Sequence, residues 1–344
     1  MLFTSFSKRR LALCAVALGI SSFASLVAAQ ASTAQTGAAQ TNTPSNAQTF
    51  PNKPLKFVVP FAAGSATDSV GRIVAQAMSE ALGQPIAVEN RAGANGIPGA
   101  DAVKSAAGDP YTLLVTTSTT QAANVSLYRR LPYDPVKDFT PIGKIGVTGF
   151  VLMVKPDFPA KDMKEFIAYA KANPGVLNYG HGSSGSWVSA ALLSQAAGIN
   201  TTAIAYRSIP PALTDLMGGQ VQYAFADVGN AATQINGGLL RGLGVTTAKR
   251  AGRTPNVPPI GDTVKDYDIS AWFALMAPAN IPADAAKKLN DTLQVVLAKP
   301  DVRTKLANAG IDMDVQDSVA LARTIEAEIK KWAVWVRVAG ISPE

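Results

Sequence analysis

Sulfur and imidazole are nearly missing from this chain: its 344 residues include one cysteine, Cys14, and one histidine, His181. Cys14 sits inside an apolar N-terminal stretch that reads as a removable signal, so the mature chain has no thiol for disulfides, nucleophilic catalysis or thiolate metal sites. A lone histidine gives no basis for an imidazole metal centre, and no metal or cofactor is expected. Charge is also sparse, at 16% of residues with a formal net of +7. No Lys/Arg run is interleaved with aromatics, which argues against nucleic acid as a partner. Between residues 30 and 50 charge vanishes altogether.

What is present begins with an export signal. Lys8, Arg9 and Arg10 precede an apolar stretch over 11–27 that ends in Val27-Ala28-Ala29, the order of a basic region, an apolar region and a small-residue cleavage site. Cleavage is expected near Ala29, with Ala31 as a second candidate, which places the protein in the periplasm. Ser21, Ser22 and Ser25 interrupt the apolar stretch, leaving it short of the roughly 20 apolar residues of a membrane span. Leu13 stands before Cys14 where a lipidation signal would carry a small residue. Residues 1–29 are thus read as signal peptide and 30–50, built from Ala, Thr, Gln, Asn, Ser and Gly, as a disordered leader.

The remainder is long enough for one core to divide into two. Strand-like and helical patterns alternate through it as in parallel sheets covered by helices, an α/β architecture. Strands are expected at 55–59, 86–89, 112–116, 149–154, 178–180, 202–205, 223–226 and 243–246. Helices are expected at 68–82, 161–173, 186–197, 210–217 and 231–236, then in a helical C-terminal segment at 283–298, 301–309 and 317–339. In the last of these, Ile325, Ile329, Trp332 and Val336 recur at helical spacing as core residues.

Two junctions carry chemistry. LKFVVPFAAGSATDSVGRIVAQAMSEAL, over 55–82, is a strand feeding a small-residue loop into a helix, and VLNYGHGSSGSWVSAALLSQAAG, over 176–198, repeats the construction. A helix start leaves several amide N–H groups unpaired at the positive end of the macrodipole, which suits a small anion. Gly64 and Gly182 allow close backbone approach, while Ser65, Thr67, Ser183, Ser184 and Ser186 supply hydroxyls. The same residue types are favoured helix caps, so capping and binding weigh equally for each. Asp68 would repel an anion and is read as a cap or loop organiser. The literal GxGxxG at 180–185 lacks the acidic residue about 20 positions on that a dinucleotide site needs; Tyr206 and Arg207 stand there instead.

PLKFVVPFAAGSATD at 54–68, NRAGANG at 90–96, YRSIPPALTDLMGGQV at 206–221, LLRGLGVTTAKR at 239–250, SAWFALMAPANIP around Trp272 and EIKKWAVWVRVAGI near the end together resemble the tripartite tricarboxylate transporter receptors, the TctC or Bug solute-binding proteins. The resemblance spans the chain after its leader. It implies a type II periplasmic-binding-protein fold with a ligand cleft between two lobes: 51–148 and 269–344 forming the first, 149–268 the second, with hinges near 146–150 and within 264–274. It also implies a site made of Ala63, Gly64, Ser65, Thr67 and Asp68 opposite Gly182, Ser183, Ser184, Gly185 and Ser186. Phe61, Arg207 and Asp227 complete the candidate set; Arg207 is read either as a partner for a second carboxylate or, with slightly more weight, as a solvated surface charge. Phe61, Trp187 and Phe273 are candidates for a slot around a planar ligand, with packing at the lobe edges the weightier reading. The chain departs from the family pattern at Ser65, at Trp187-Val188-Ser189, and at Ala205 and Ser208, all near the expected pocket.

The function so implied is a monomeric periplasmic receptor that captures a small organic carboxylate (di-, tri- or aromatic) for uptake through the membrane subunits of a tripartite tricarboxylate-type transporter. The alternative is an exported small-molecule hydrolase using the serine-rich loop near His181.

Overall fold

In the computed structural model, which describes residues 50–344, the apolar run of the first junction forms strand β1 (Leu55–Val59), buried along almost its whole length. The signal and leader expectations at 1–49 lie outside the described residues. After β1 the chain enters α1 (Ala66–Leu82), which ends on a left-handed Gly83, the usual way to stop a helix where Cβ would be strained. Then follow β2 (Ile86–Asn90), α2 (Ile97–Lys104) and β3 (Thr112–Thr117). A π-helical turn at Thr119–Ala123 runs into α3 (Asn124–Leu127), and a long strand, β4 (Phe139–Thr148), leads out of this first set.

Only Gly149 separates β4 from β5 (Phe150–Val154), which opens a second set: α4 (Met163–Ala172), β6 (Leu177–His181), α5 (Ser184–Ala197), β7 (Thr201–Ala205), α6 (Ile209–Met217), β8 (Tyr223–Asp227), α7 (Val228–Asn236) and β9 (Arg241–Val245). The chain then returns through 246–270 to β10 (Ala271–Pro278), α8 (Ala283–Ala298), α9 (Pro300–Asn308), β11 (Asp312–Gln316) and α10 (Ser318–Val338).

Two sheets result, one six-stranded in the order β11-β4-β10-β3-β1-β2 and one five-stranded in the order β7-β6-β8-β5-β9. In the first, β1 is parallel to β2 and β3, whereas β10 runs antiparallel between β3 and β4. In the second, β6 is parallel to β7 and β8, and β5 lies antiparallel between β8 and β9. Because β10 sits in the middle of the first sheet, the C-terminal residues complete the first lobe after the second has been made. This is the two-lobed α/β fold expected.

Each lobe has its own core, around Phe57, Val70, Val74, Leu113, Leu275 and Leu293 in the first and Leu152, Phe166, Tyr223 and Phe225 in the second. A smaller cluster joins them: Ala122, Ala123 and Leu127 of the first lobe meet Val188 of α5 and Trp332 and Val336 of α10, with Trp187 and Trp335 packed alongside. α10 is thus a strap along the seam. Its expected core residues Ile325, Trp332 and Val336 are buried and Ile329 is half-buried.

The elements missing from the sequence reading are β4, β10, β11, α2 and the π-turn with α3. β4 contains Pro141, Gly143, Lys144 and Gly146, which demote a strand. β10 is buried at every position and shows no alternation.

Candidate functional site

The first junction forms one wall of a cleft. Ser65 is the N-cap of α1, its side chain accepting from the Asp68 amide at 3.2 Å, and its carbonyl accepts from the Ser69 amide at 3.0 Å. That leaves the N–H groups of Ala66 and Thr67 without a partner among the described residues, at the positive end of a 17-residue helix. The Thr67 residue is buried, yet its hydroxyl is uncommitted.

Asp68 does not reach toward this space. Its carboxylate accepts from the Gly64 amide at 3.1 Å, from Arg72 Nε at 3.0 Å and from Asn90 Nδ2 at 2.8 Å. Asn90 Nδ2 also donates to the Phe61 carbonyl at 2.9 Å. The acid therefore pins the loop from Phe61 to Gly64 against β2. Burial alone would raise its pKa, but the hydrogen bonds from Arg72, Asn90 and Gly64 outweigh burial and hold the carboxyl below its ordinary value.

The second junction forms the facing wall. Ser183 caps α5 and forms a capping box with Ser186. The Ser186 hydroxyl accepts from the Gly182 and Ser183 amides, each at 3.1 Å, and donates to the Ser183 carbonyl at 2.9 Å. Here too the next two amides, of Ser184 and Gly185, have no partner among the described residues. The Ser184 hydroxyl donates across the seam to Asn124 Oδ1 at 3.3 Å.

Gly182 is required by contact. A Cβ built there would stand 2.1 Å from the Ser208 carbonyl carbon and 2.5 Å from the Ile209 amide nitrogen. Its loop is thereby pressed onto the start of α6.

Between the walls is a cavity of about 40 Å³ lined by Phe61, Ser65, Ala66, Thr67, Gly182, Ser183 and Asp227, and also by Thr117, Thr119, Thr148, Phe150, Ser208, Ile209, Ala271 and Phe273. The structure thus brings six candidates to one place: Phe61, Ser65, Thr67, Gly182, Ser183 and Asp227. Phe273 lines it as well. Ala63 and Gly64 are exposed on the loop, and Asp68, Ser184, Gly185 and Ser186 are buried; none of the six lines the cavity.

Arg207 stays outside. It follows β7, the edge strand of the second sheet, it is exposed, and it forms no ion pair among the described residues. Trp187 is also outside, stacked on His181 with ring centroids 5.0 Å apart and planes 18° apart. The threonines at the ends of β3 and β4 and Ile209 are absent from the sequence candidates, and Ser208 stands there only as a departure from the family pattern near the expected pocket, because these residues reach the cleft only through tertiary convergence.

No lysine, arginine or histidine lines the cavity. The one charged side chain there, Asp227, accepts from the Asn230 amide at 3.1 Å and from Asn230 Nδ2 at 3.0 Å. Burial still drives its pKa above the ordinary carboxylate value. Among the described residues no group of acids, histidines or cysteines is gathered as a metal would require.

The hydrolase alternative fails on geometry. His181 Nδ1 is buried without a partner among the described residues, and the hydroxyls of the loop serines Ser183, Ser184 and Ser186 are engaged with one another, with the loop backbone and with Asn124. A base that does not touch its nucleophile cannot activate it.

Burial lowers the His181 pKa from 6.5 to about 4. A base that is harder to protonate when folded contributes stability present above pH 6.5 and lost as the pH falls toward 4. The loss is about 3 kcal/mol at 1.36 kcal/mol per unit, or roughly 6 to 12 °C of Tm for a chain of this size. Thermal melts of wild type and His181→Gln between pH 7 and 4 check this; equal slopes in the two proteins would refute it. Asp227, raised on folding, acts in the opposite sense above pH 3.8, which is why the difference between the two proteins is the quantity to read.

The chain matches the family model described as tripartite tricarboxylate transporter family receptor over residues 70–341. Protein BugT of Bordetella pertussis is 32% identical over 303 residues, covering 86% of this chain and 92% of BugT. The structure of an R. palustris protein with adipate superposes with a TM-score of 0.83 at 32% identity, over 86% of this chain and 100% of that one. MatC from Rhodopseudomonas palustris, with bound malate, gives a TM-score of 0.77 at 33% identity, over 83% of this chain and 100% of MatC.

Proposed function

The chain belongs to the tripartite tricarboxylate transporter receptor family, periplasmic solute-binding proteins and not enzymes, and from that premise we propose that it captures a small organic carboxylate between its lobes in the periplasm. The captured solute is passed unchanged to membrane subunits of a tripartite-type transporter. Gly149 and the return segment 246–270 act as the hinges on which the cleft opens and closes.

The observation that carries this reading is a cleft where two helix starts meet, with the uncommitted amides of Ala66 and Thr67 lining one side, Gly182 and the α5 cap Ser183 lining the other, and no cation among its lining residues. Neutral donors aided by helix dipoles suit a carboxylate better than a fully hydrated cation or an apolar solute. The adipate and malate found with the two relatives support a dicarboxylate over an aromatic acid.

A thermal-shift screen of the protein from residue 30 onward, across aliphatic di- and tricarboxylates and aromatic acids, tests the proposal. A ligand at about 100 times its Kd adds roughly 2.7 kcal/mol, which raises Tm by several degrees for a chain this long. The rise is expected to be the same in EDTA. No shift with any carboxylate would defeat the proposal, and a shift lost in EDTA but restored by a divalent ion would defeat its metal-free form.

A further inference from the structure

We infer that Ser208, with the Ile209 amide beside it, is a ligand-contacting group that makes the cleft selective for a second carboxylate; the inference rests on the carboxylate reading above. Ser208 is the N-cap of α6, in extended backbone with φ −171° and ψ 170°. A serine there ordinarily accepts from the amide two or three residues on. In α6 those residues are Pro210 and Pro211, which have no N–H to give.

The serine is therefore at a capping position with nothing to cap. Its side chain makes no cap hydrogen bond, it is fully buried, and its Oγ has no partner among the described residues. The Ile209 amide is also unpaired, and both residues line the cleft.

A buried hydroxyl without a partner is disfavoured in the free protein, and a ligand oxygen is what would complete it. The close contact between Gly182 and the Ser208–Ile209 backbone puts this donor pair beside the start of α5. The Ala66 and Thr67 amides of α1 serve one carboxylate, and the Ser208 hydroxyl and Ile209 N–H serve another on the same ligand. A dicarboxylate satisfies both sets; a monocarboxylate of equal length leaves the second set dry and unpaired. Asp227 lines the same lobe and bears no free N–H or cation, so it does not replace Ser208 as a donor.

Ser208→Ala removes one oxygen and no carbon, so the fold is kept. Wild type and Ser208→Ala are titrated calorimetrically with the aliphatic dicarboxylates from malonate to adipate and with the matching monocarboxylates from acetate to hexanoate. The expected result is a loss of about tenfold or more in affinity for the preferred dicarboxylate, as for a hydrogen bond to a charged group, with monocarboxylate binding unchanged. The ligand-free Tm is expected to stay level or rise, because the orphaned hydroxyl is gone. Unchanged dicarboxylate affinity in Ser208→Ala, or equal losses for both ligand series, would overturn this inference and leave the carboxylate reading standing. Wild type that binds no member of either series would overturn both.

Discussion

Thr67→Asp is expected to weaken carboxylate binding by at least about a hundredfold while leaving the fold intact. Thr67 is in the first turn of α1, buried, lining the cleft, with its hydroxyl and amide uncommitted. An acidic side chain in the first turn is favourable to the helix itself through the macrodipole, so the ligand-free Tm is expected to hold or rise. For the ligand the same charge is a competitor that fills the donors and repels. Two like charges 4 Å apart at an effective dielectric near 20 interact by about 4 kcal/mol, and 1.4 kcal/mol is tenfold in affinity. Partial screening brings this toward the hundredfold figure. Thr67→Ser keeps the hydroxyl and both amides and is expected to bind within a few-fold of wild type. Titration calorimetry beside ligand-free melts decides; parental affinity in Thr67→Asp would place the ligand elsewhere.

Gly229→Ala is expected to keep the liganded protein from closing fully. Gly229 lies in the first turn of α7 in the second lobe, against Ala309 and Gly310 between α9 and β11 of the first. A Cβ at Gly229 would lie 2.1 Å from the Ala309 carbonyl oxygen, and one at Gly310, where φ is +80°, 2.4 Å from the Gly229 nitrogen. Backbone meets backbone there, so no side chain can rotate away and the lobes must part by about an ångström. Overpacking of this sort costs about 1 to 3 kcal/mol, here charged to the closed state, which weakens binding by about five- to 150-fold. In solution scattering, wild type is expected to contract on adding ligand, and Gly229→Ala at saturating ligand to contract less. Identical contraction would show that this contact does not gate closure.

Much of the α/β pattern could be read directly because β1, β5 and β8 are short, mostly apolar runs, each followed by a helix with an apolar face. The strands that tie the lobes together escaped notice for physical reasons. β4 carries glycines, a proline and a lysine, and that lysine, Lys144, is buried in an ion pair with Asp314 of β11. β11, DMDVQ, is a polar edge strand whose identity comes from pairing with β4 and not from its own composition.

At the site, residue type alone could not separate capping from binding. The structure commits Ser65, Ser183 and Ser186 to helix caps and leaves Thr67 and Ser208 free. For Ser208 a signal was present in Ser-Ile-Pro-Pro, a helix cap followed by two prolines, and it needed only the question of which amide the serine could reach. Arg207, its neighbour, carried the stronger chemical label but is exposed beyond the end of the edge strand β7 and does not line the cavity.

The seam cluster gives the molecule its own optical reporter. Of four tryptophans in the chain, three, Trp187, Trp332 and Trp335, gather where α5 meets α10, and Trp332 is wholly shielded with its ring centroid 5.0 Å from that of Trp335. Indole emission shifts to longer wavelength on contact with water. Separation of α5 from the strap therefore changes colour as well as shape, and the kinetics of capture can be followed in unlabelled protein on a stopped-flow timescale.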